Sequence, residues 1–487
     1  MKKKYLILLV LAAFFAACTD NFEDYNTDKK NPAIVAGESL FSNAEKSLSD
    51  HMSSSNVNVN VLKLFAQYWT ETTYTDEANY DLINRGIPQQ VFRDFYRGLL
   101  RDFQEATKII TETPATSAIG ETEKQNKLAI IDLLVCYSYQ QLVDIFGNVP
   151  YTEAMDVENV APAYDDAATI YADLIDRVNA ALTQLDDAQG SFGTADLIYS
   201  GDVAAWKKFG NSLKIKLGIG LADYDGGTLA KATVESAVAG AFGGIGDGAF
   251  FPYQTSSPNY NPLYDDLVTS GRNDFVAANT IVDIMNALQD PRRWAYFEEM
   301  AEGGFIGGVY GSTSPYALYS HLSDALHQPT LLGLFITYDQ VLFYLAEGAA
   351  RGYSVGGTEE ELYNAAITAS FELWGVPADS ITSYLANPDV AWATAPGTWQ
   401  EKIGTQAWLA FYARGLEGYT SWRRLDFPIL NMPESITEYN EIPKRYTYPV
   451  NEQTLNKESW QAASDAIGGD EMVTPLFWDT AQPVPTK

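Results

Sequence analysis

Gly352-Tyr353-Ser354-Val355-Gly356 matches, letter for letter, the G-x-S-x-G pattern in which a serine is held on a sharp turn as a nucleophile. That chemistry needs a strand before the serine and a helix after it. Here a helical stripe precedes, so Gly352 reads as a helix C-cap and no acyl-transfer site is assigned. Gly244-Ile245-Gly246-Asp247-Gly248-Ala249 loosely fits a dinucleotide fingerprint, but it runs into Phe250-Phe251-Pro252 instead of opening a helix. His51, His321 and His327, the only three histidines, show no ligand spacing and read as polar surface or loop residues. Paired carboxylates stay open as an acid/base device, because 63 acidic residues put some pair at hydrolase spacing by chance. A structural calcium ion is allowed on the same ground, and nothing in the sequence locates it.

The 487 residues carry 32 Lys+Arg against 63 Asp+Glu, a formal charge of −31. Such a field repels phosphate backbones, so no nucleic-acid partner is expected. With two cysteines and three histidines there is little material for Cys/His metal sites or histidine-centred catalysis. Aromatics are abundant instead: 30 Tyr, 23 Phe and 10 Trp. The excess of Tyr suits surfaces where a ring is flat, apolar and wet at one edge.

Lysines within Met1 to Lys4, an apolar run from Leu6 to Ala17 and small residues before Cys18 make residues 1–17 a secretory signal peptide. Ala13-Phe14-Phe15-Ala16-Ala17-Cys18 resembles a bacterial lipobox, with Phe15 in place of the usual aliphatic residue. Acylation of Cys18 would attach the chain to a membrane by lipid alone and leave Cys136 without a disulfide partner, as a packed helix thiol. Residues 18–32, polar and acidic up to Asn31-Pro32, read as a solvated tether.

The elements that must position any site are helical. Leu128, Ile131, Val135, Tyr139, Leu142 and Phe146 form one apolar stripe, stopped by Gly147-Asn148-Val149-Pro150. Similar segments are expected at about 57–72, 89–111, 165–187, 202–222, 275–289, 334–351, 359–374 and 399–416. The stripe Leu334, Tyr338, Val341, Leu342, Leu345 and Ala349, the turn Gly352 to Gly357 and the stripe Leu362, Ala366, Ala369 and Phe371 make one tetratricopeptide-like pair. Residues 239–274 and 301–333 are Gly-, Pro- and Tyr-rich without periodicity, and ordered loops of that length are usually functional. The expected division is therefore 33–238 helical, 239–333 an irregular ligand-binding subdomain, and 334–487 helical with an extended C-terminal segment.

Seven words in order resemble the SusD/RagB family of outer-membrane nutrient-binding lipoproteins of Bacteroidetes. Among them are Asp144-Ile145-Phe146-Gly147-Asn148-Val149-Pro150-Tyr151, Gly201-Asp202 with Trp206-Lys207-Lys208-Phe209-Gly210-Asn211-Ser212-Leu213-Lys214, and Asp290-Pro291-Arg292. Leu345-Ala346-Glu347 with Arg351-Gly352, Ser421-Trp422-Arg423-Arg424, and Ile442-Pro443-Lys444-Arg445-Tyr446 continue the series. Tyr338-Asp339 departs from the family's more usual Glu. The resemblance implies an all-α fold of tetratricopeptide-like helix pairs with an irregular loop-rich capping subdomain. It also implies capture of an oligosaccharide outside the cell and its delivery to a SusC-like TonB-dependent transporter, with no cofactor and no bond broken. A surface glycoside hydrolase or lyase on a helical scaffold is the alternative, and a structural assembly subunit a third reading. Glu347, Arg292, Arg423, Arg424 and Arg445 are expected to be buried structural ion pairs.

A sugar ring needs exposed aromatic planes flanked by amide or charged groups. Helix stripes should bury Trp206, Phe209, Phe343 and Trp374. The loop residues Tyr253, Tyr260 and Tyr264, with Arg272, Asn273 and Asp274, and then Tyr310 and Tyr316, offer the required mixture. Trp69, Tyr74 and Tyr80 correspond roughly to where the family often places a stacking ring. Half or more of these rings are expected to pack their own loops.

Overall fold

The computed structural model describes residues 35–433 and 441–480, so the leader, Cys18 and the tether lie outside the described residues. Ser117, Asp166 and Asp202 each accept a backbone N–H at the first turn of a helix, and Thr358 with Glu361 forms a capping box. The principal helices are α1 Gly37–Ser53, α2 Arg101–Glu112, α3 Ala118–Phe146, α4 Ala167–Gln184, α5 Val203–Gly220 and α6 Thr228–Ala237. After them come α7 Asn279–Ala287, α8 Tyr338–Ala350, α9 Glu359–Leu373, α10 Trp399–Ala410, α11 Gly415–Leu425 and α12 Lys457–Ile467.

They pack as pairs: α1 with α2, α3 with α4, α5 with α6, α8 with α9, and α10 with α11. The pairs stack in chain order, α2 on α3, α4 on α5, α5 on α8 and α8 on α10. This is the all-α, tetratricopeptide-like arrangement the spacing predicts. Between α6 and α8 the chain is irregular, with α7 and the short strands β2 Phe250–Phe251, β3 Phe275–Ala277 and β4 Gly333–Leu334, while a further strand, β1 Trp69–Glu71, lies between α1 and α2. The helix expected over 57–72 is only Leu62–Phe65 followed by β1. Asn56 and Asn60 turn the backbone locally by accepting the Asn58 and Leu62 N–H groups, and β1 finds a partner strand far along the chain.

Helix α3 is long and apolar enough to cross a membrane by length and composition, and it is instead buried inside the core. Neighbours on several sides bury its second half all round, including the polar Ser138, Gln140, Gln141 and Asp144. Cys136 lies there as a free, fully buried thiol, and desolvation pushes its pKa up.

The buried charges decide how the pairs fit. Glu347 of α8 receives Arg351 at 2.9 Å and also Arg424 of α11, while Arg351 closes a bidentate pair with Asp223 beyond α5, both distances 2.7 Å. Arg292 and Asp290 are wholly buried 2.6 Å apart, and the guanidinium also donates to Ser370 of α9 and Gln406 of α10. Arg445 binds Asp470 at 2.8 Å and the Phe146 carbonyl at 2.9 Å, fastening the C-terminal segment to the end of α3. Asp339, the departure from the family pattern, pairs with Arg414 at 2.7 Å. Arg423 differs from the expected ion pair. It donates to the Asp144 and Lys444 carbonyls, at 2.7 and 2.8 Å, and lies over the Tyr419 ring, so it serves one orphan backbone acceptor of α3 and one of the C-terminal segment.

Arg424→Met should therefore leave Glu347 half-compensated in a dry site. We expect a loss of about 2–4 kcal/mol in chemical denaturation, and an unchanged midpoint would contradict the coupling described.

Candidate functional site: an exposed tyrosine beside an ion-paired arginine

Strands β1 and β3 run antiparallel, with Trp69 opposite Ala277, Thr70 opposite Val276 and Glu71 opposite Phe275. The ladder continues as the Thr72 N–H donates to the Asp274 carbonyl at 2.9 Å and the Thr72 hydroxyl to the Asn273 carbonyl at 2.7 Å. This pairing carries Tyr74, two residues on, to the same edge as Arg272, Asn273 and Asp274. Tyr74 is 71% exposed, in a left-handed conformation at φ 45°. Arg272 grips Asp274 through Nε at 2.6 Å and Nη2 at 2.7 Å. The Asp274 carboxylate, with the Tyr74 phenol adding to it, raises the arginine pKa and keeps the guanidinium charged. An open aromatic plane thus stands beside a fixed cation, a carboxylate and a carboxamide, all on exposed or half-exposed residues.

Four of the other expected rings are not exposed planes. The Trp69 indole is buried with its N–H on the Tyr412 hydroxyl at 2.9 Å. Tyr80 is buried edge-on against Phe65 and accepts from Gln67 at 3.0 Å. Tyr310 is buried and donates to the Leu64 carbonyl at 2.8 Å. Tyr253 is buried and shares hydrogen bonds with Ser49 at 2.8 Å and Asp50 at 2.9 Å. Each is an amphipathic anchor that ties a loop to the helical body, its polar tip satisfied inside. Tyr260 and Tyr264 meet edge-to-face, centroids 5.5 Å apart, and stay half-buried. Tyr316 is half-buried and stacks on His321 at 3.7 Å. Trp206, Phe209 and Phe343 are buried as expected, whereas Trp374 at the end of α9 is only half-buried.

Sequence reasoning missed Trp294, which is 57% exposed, edge-on to Phe305 with the Arg293 guanidinium 5.1 Å from its ring centre. It follows the buried Asp290–Arg292 pair, and a one-turn helix has no periodicity to show which side chain faces out.

Behind Tyr74 lie two buried carboxyls. Burial raises the Glu71 pKa to about 9, with the neighbouring Glu77 adding to the shift. Glu71 accepts the Ala78 N–H at 2.9 Å, and Glu77 is paired with Arg85. The Glu71 carboxyl therefore keeps its proton at neutral pH.

The motif-like glycine turns do no chemistry of their own. Gly352 (φ +78°) ends α8, and the Ser354 N–H donates to Glu235 at 2.7 Å, so no strand leads into that serine. Ile245–Asp247 is a single helical turn that enters β2. An internal recess of about 40 Å³ among His51, Gln141, Leu263, Arg414 and Glu417 admits at most a few waters.

A family model described as "Starch-binding associating with outer membrane" matches residues 29–449. The chain belongs to the SusD-like family. No curated protein matches by sequence. Solved SusD-like structures do match in fold. A chitin-binding protein superposes with TM-score 0.80 at 22% identity, over 91% of this chain and 100% of its own. A chitin-binding SusD homolog from Flavobacterium johnsoniae gives 0.77 at 21%, over 91% of this chain and 99% of its own. A SusD-like protein from Bacteroides thetaiotaomicron gives 0.76 at 23%, over 92% and 99%. In this SusD-like chain the shared words are joints: Asp144 accepts the Tyr171 hydroxyl at 2.5 Å and the Trp478 N–H at 3.2 Å, and Asp196 accepts the Trp206 N–H at 2.7 Å.

Two outcomes follow from this geometry. Trp69→Ala should cost about 3–5 kcal/mol of stability, whereas Tyr74→Ala should stay within about 0.5 kcal/mol of the parent; equal melting temperatures for the two variants would contradict the burial described. Glu71 is protonated in the fold up to about pH 9 but ionises near 4.5 when unfolded. Its contribution to stability is thus fully present below 4.5 and is lost as pH rises through that window, by at most about 1.4 kcal/mol per pH unit. Glu71→Gln should flatten the fall in melting temperature between neutral and mildly alkaline pH. An identical pH profile would show that Glu71 is ionised in the fold.

Proposed function

We propose that this SusD-like protein is a lipid-anchored glycan-binding protein of the outer cell surface, which captures an oligosaccharide and passes it to a SusC-like TonB-dependent transporter. The observation that carries the reading is the exposed Tyr74 ring held beside the Arg272–Asp274 pair. A pyranose offers C–H groups on its face and hydroxyls on its rim. The ring would take the face, while Arg272, Asn273 and Asp274 would donate to and accept from the rim. Tyr260, Tyr264, Tyr316 and Trp294 supply further planes on the irregular stretch of residues 239–333, which we assign as the ligand-binding subdomain together with the β1 edge. The family's starch-binding description and the chitin-binding relatives support a polysaccharide-derived ligand. Binding energy, not bond cleavage, does the work. The rigid stack holds the loops in place, so that little ordering entropy is lost on capture.

Acylation at Cys18 would anchor the chain, and the acidic tether would hold the stack clear of the bilayer above a transporter mouth. A lid over such an opening would bury well over about 1,000 Å².

Titration calorimetry with chitin and starch oligosaccharides tests the reading. Tyr74→Ala should weaken the bound ligand by about 1–2 kcal/mol with little change in melting temperature, and Asp274→Ala should weaken it as well. Undiminished binding in both would move the site elsewhere, and release of reducing sugar by the purified protein would replace capture with hydrolysis. Cys18→Ala should shift the protein out of the membrane fraction, and a parent purified from solubilised membranes should bring a TonB-dependent transporter with it.

A further inference from the structure

Charge in the irregular stretch that carries most of the candidate rings is one-sided. Residues 239–333 contain no lysine and three arginines, Arg272, Arg292 and Arg293, against ten acidic residues. Each arginine is already committed within the fold. Arg292 is wholly buried on Asp290 at 2.6 Å. Arg293 lies over the Trp294 ring while its Nε donates to the Asp290 carbonyl at 2.9 Å and its Nη1 to the Asn286 side-chain oxygen at 2.8 Å. Arg272 holds Asp274 through Nε and Nη2, the parallel pair of N–H groups with which a guanidinium grips a carboxylate.

Carboxylates, by contrast, stand beside the rings. Asp274 shares the Tyr74 edge, and Asp76 is exposed two residues beyond Tyr74. The exposed Asp265 accepts the Tyr260 hydroxyl at 3.0 Å. Glu298 lies 3.0 Å from a ring nitrogen of His321, on which Tyr316 stacks. A sugar carboxylate or sulfate brought onto any of these planes would give up water and meet a like charge, with no free guanidinium fork to receive it. Approach to Arg272 through its remaining nitrogen would place the newcomer beside Asp274, well inside the about 10 Å over which surface charges interact at 0.1 M salt. A hydroxyl or acetamido group meets no such penalty, since it can donate to Asp274 and accept from Asn273. The formal charge of −31 acts the same way at longer range, slowing the approach of any polyanion.

On the reading that the Tyr74 edge takes glycan, we propose that its ligand is an oligosaccharide without acidic groups, and that Asp274, by occupying Arg272, is the residue that turns uronate and sulfated chains away. Asp274 is thus a specificity determinant as well as a contact.

The test compares, by calorimetry on the mature protein, starch and chitin oligosaccharides with the same chains oxidised at C6 to carboxylates, and adds oligogalacturonate. At about 50 mM salt we expect oxidation to weaken binding at least about tenfold, and the loss to shrink at about 0.5 M salt, as screening requires and a steric misfit would not. Asp274→Asn keeps the side-chain shape and frees Arg272, so it should narrow the gap between neutral and oxidised chains at least about threefold, with little change in melting temperature for so exposed a pair. Oxidised chains that bind as tightly as neutral ones, a gap that neither salt nor Asp274→Asn alters, or a protein that binds only the acidic chains would each overturn the proposal. Tyr74→Ala separates this from the placement of the site: undiminished binding in that variant moves the site, whereas the ratio of neutral to oxidised affinity still decides the charge preference. If no chain of any kind binds, both readings fall.

Discussion

A charge taken out of water must be met by another charge, and this requirement fixes how the helix pairs sit on one another. Glu347 is nearly inaccessible and receives arginines from its own helix and from α11, while Lys216 of α5 reaches the buried Glu417 of α11. Sliding α11 by one turn would leave apolar stripes roughly matched but would strand several charges, at several kcal/mol each. Apolar packing thus supplies the stack's cohesion, and the ion pairs supply its register.

A scaffold fixed in this way can carry a long irregular layer. The abundant tyrosines bridge the two, since a ring can fill a gap in the core while its hydroxyl satisfies a carbonyl or carboxylate there. Tyr310 on the Leu64 carbonyl, Tyr296 on the Leu409 carbonyl and Tyr68 on the Trp408 carbonyl all do this, at 2.8, 3.0 and 2.6 Å. Phenylalanine would fill the same space and leave those acceptors to other donors. Most of the aromatic excess is therefore mortar between helices and loops, and only a small remainder faces solvent.

The helical parts were readable because a stripe such as Leu128 to Phe146 reports its own burial, and the charged motif residues because a lone Arg or Glu in an apolar run needs a partner. Loop aromatics carry no such signal. Whether Trp69 or Tyr253 faces inward depends on Tyr412 or Ser49, and nothing near either ring names that partner. Arg423 shows the same limit: its sequence neighbourhood demanded compensation but could not say that carbonyls would provide it. The β1–β3 edge was invisible for a different reason. Three-residue strands are too short for a period, and their pairing joins distant stretches of the chain. Asn273 and Asp274 were recognisable as useful chemistry, yet the ring they accompany lies just beyond the end of the other strand.

That edge also has a temporal consequence. Thr72 and Asp274 meet only after the chain between them, with five of the helix pairs' members and the loop leading to β3, has closed, and such long-range closure comes late in folding. Neither strand is long enough to hold its shape alone. The edge that sets Tyr74 beside Arg272 and Asp274 is thus absent from any fragment that ends before β3, and its appearance reports that the chain between the two strands has closed.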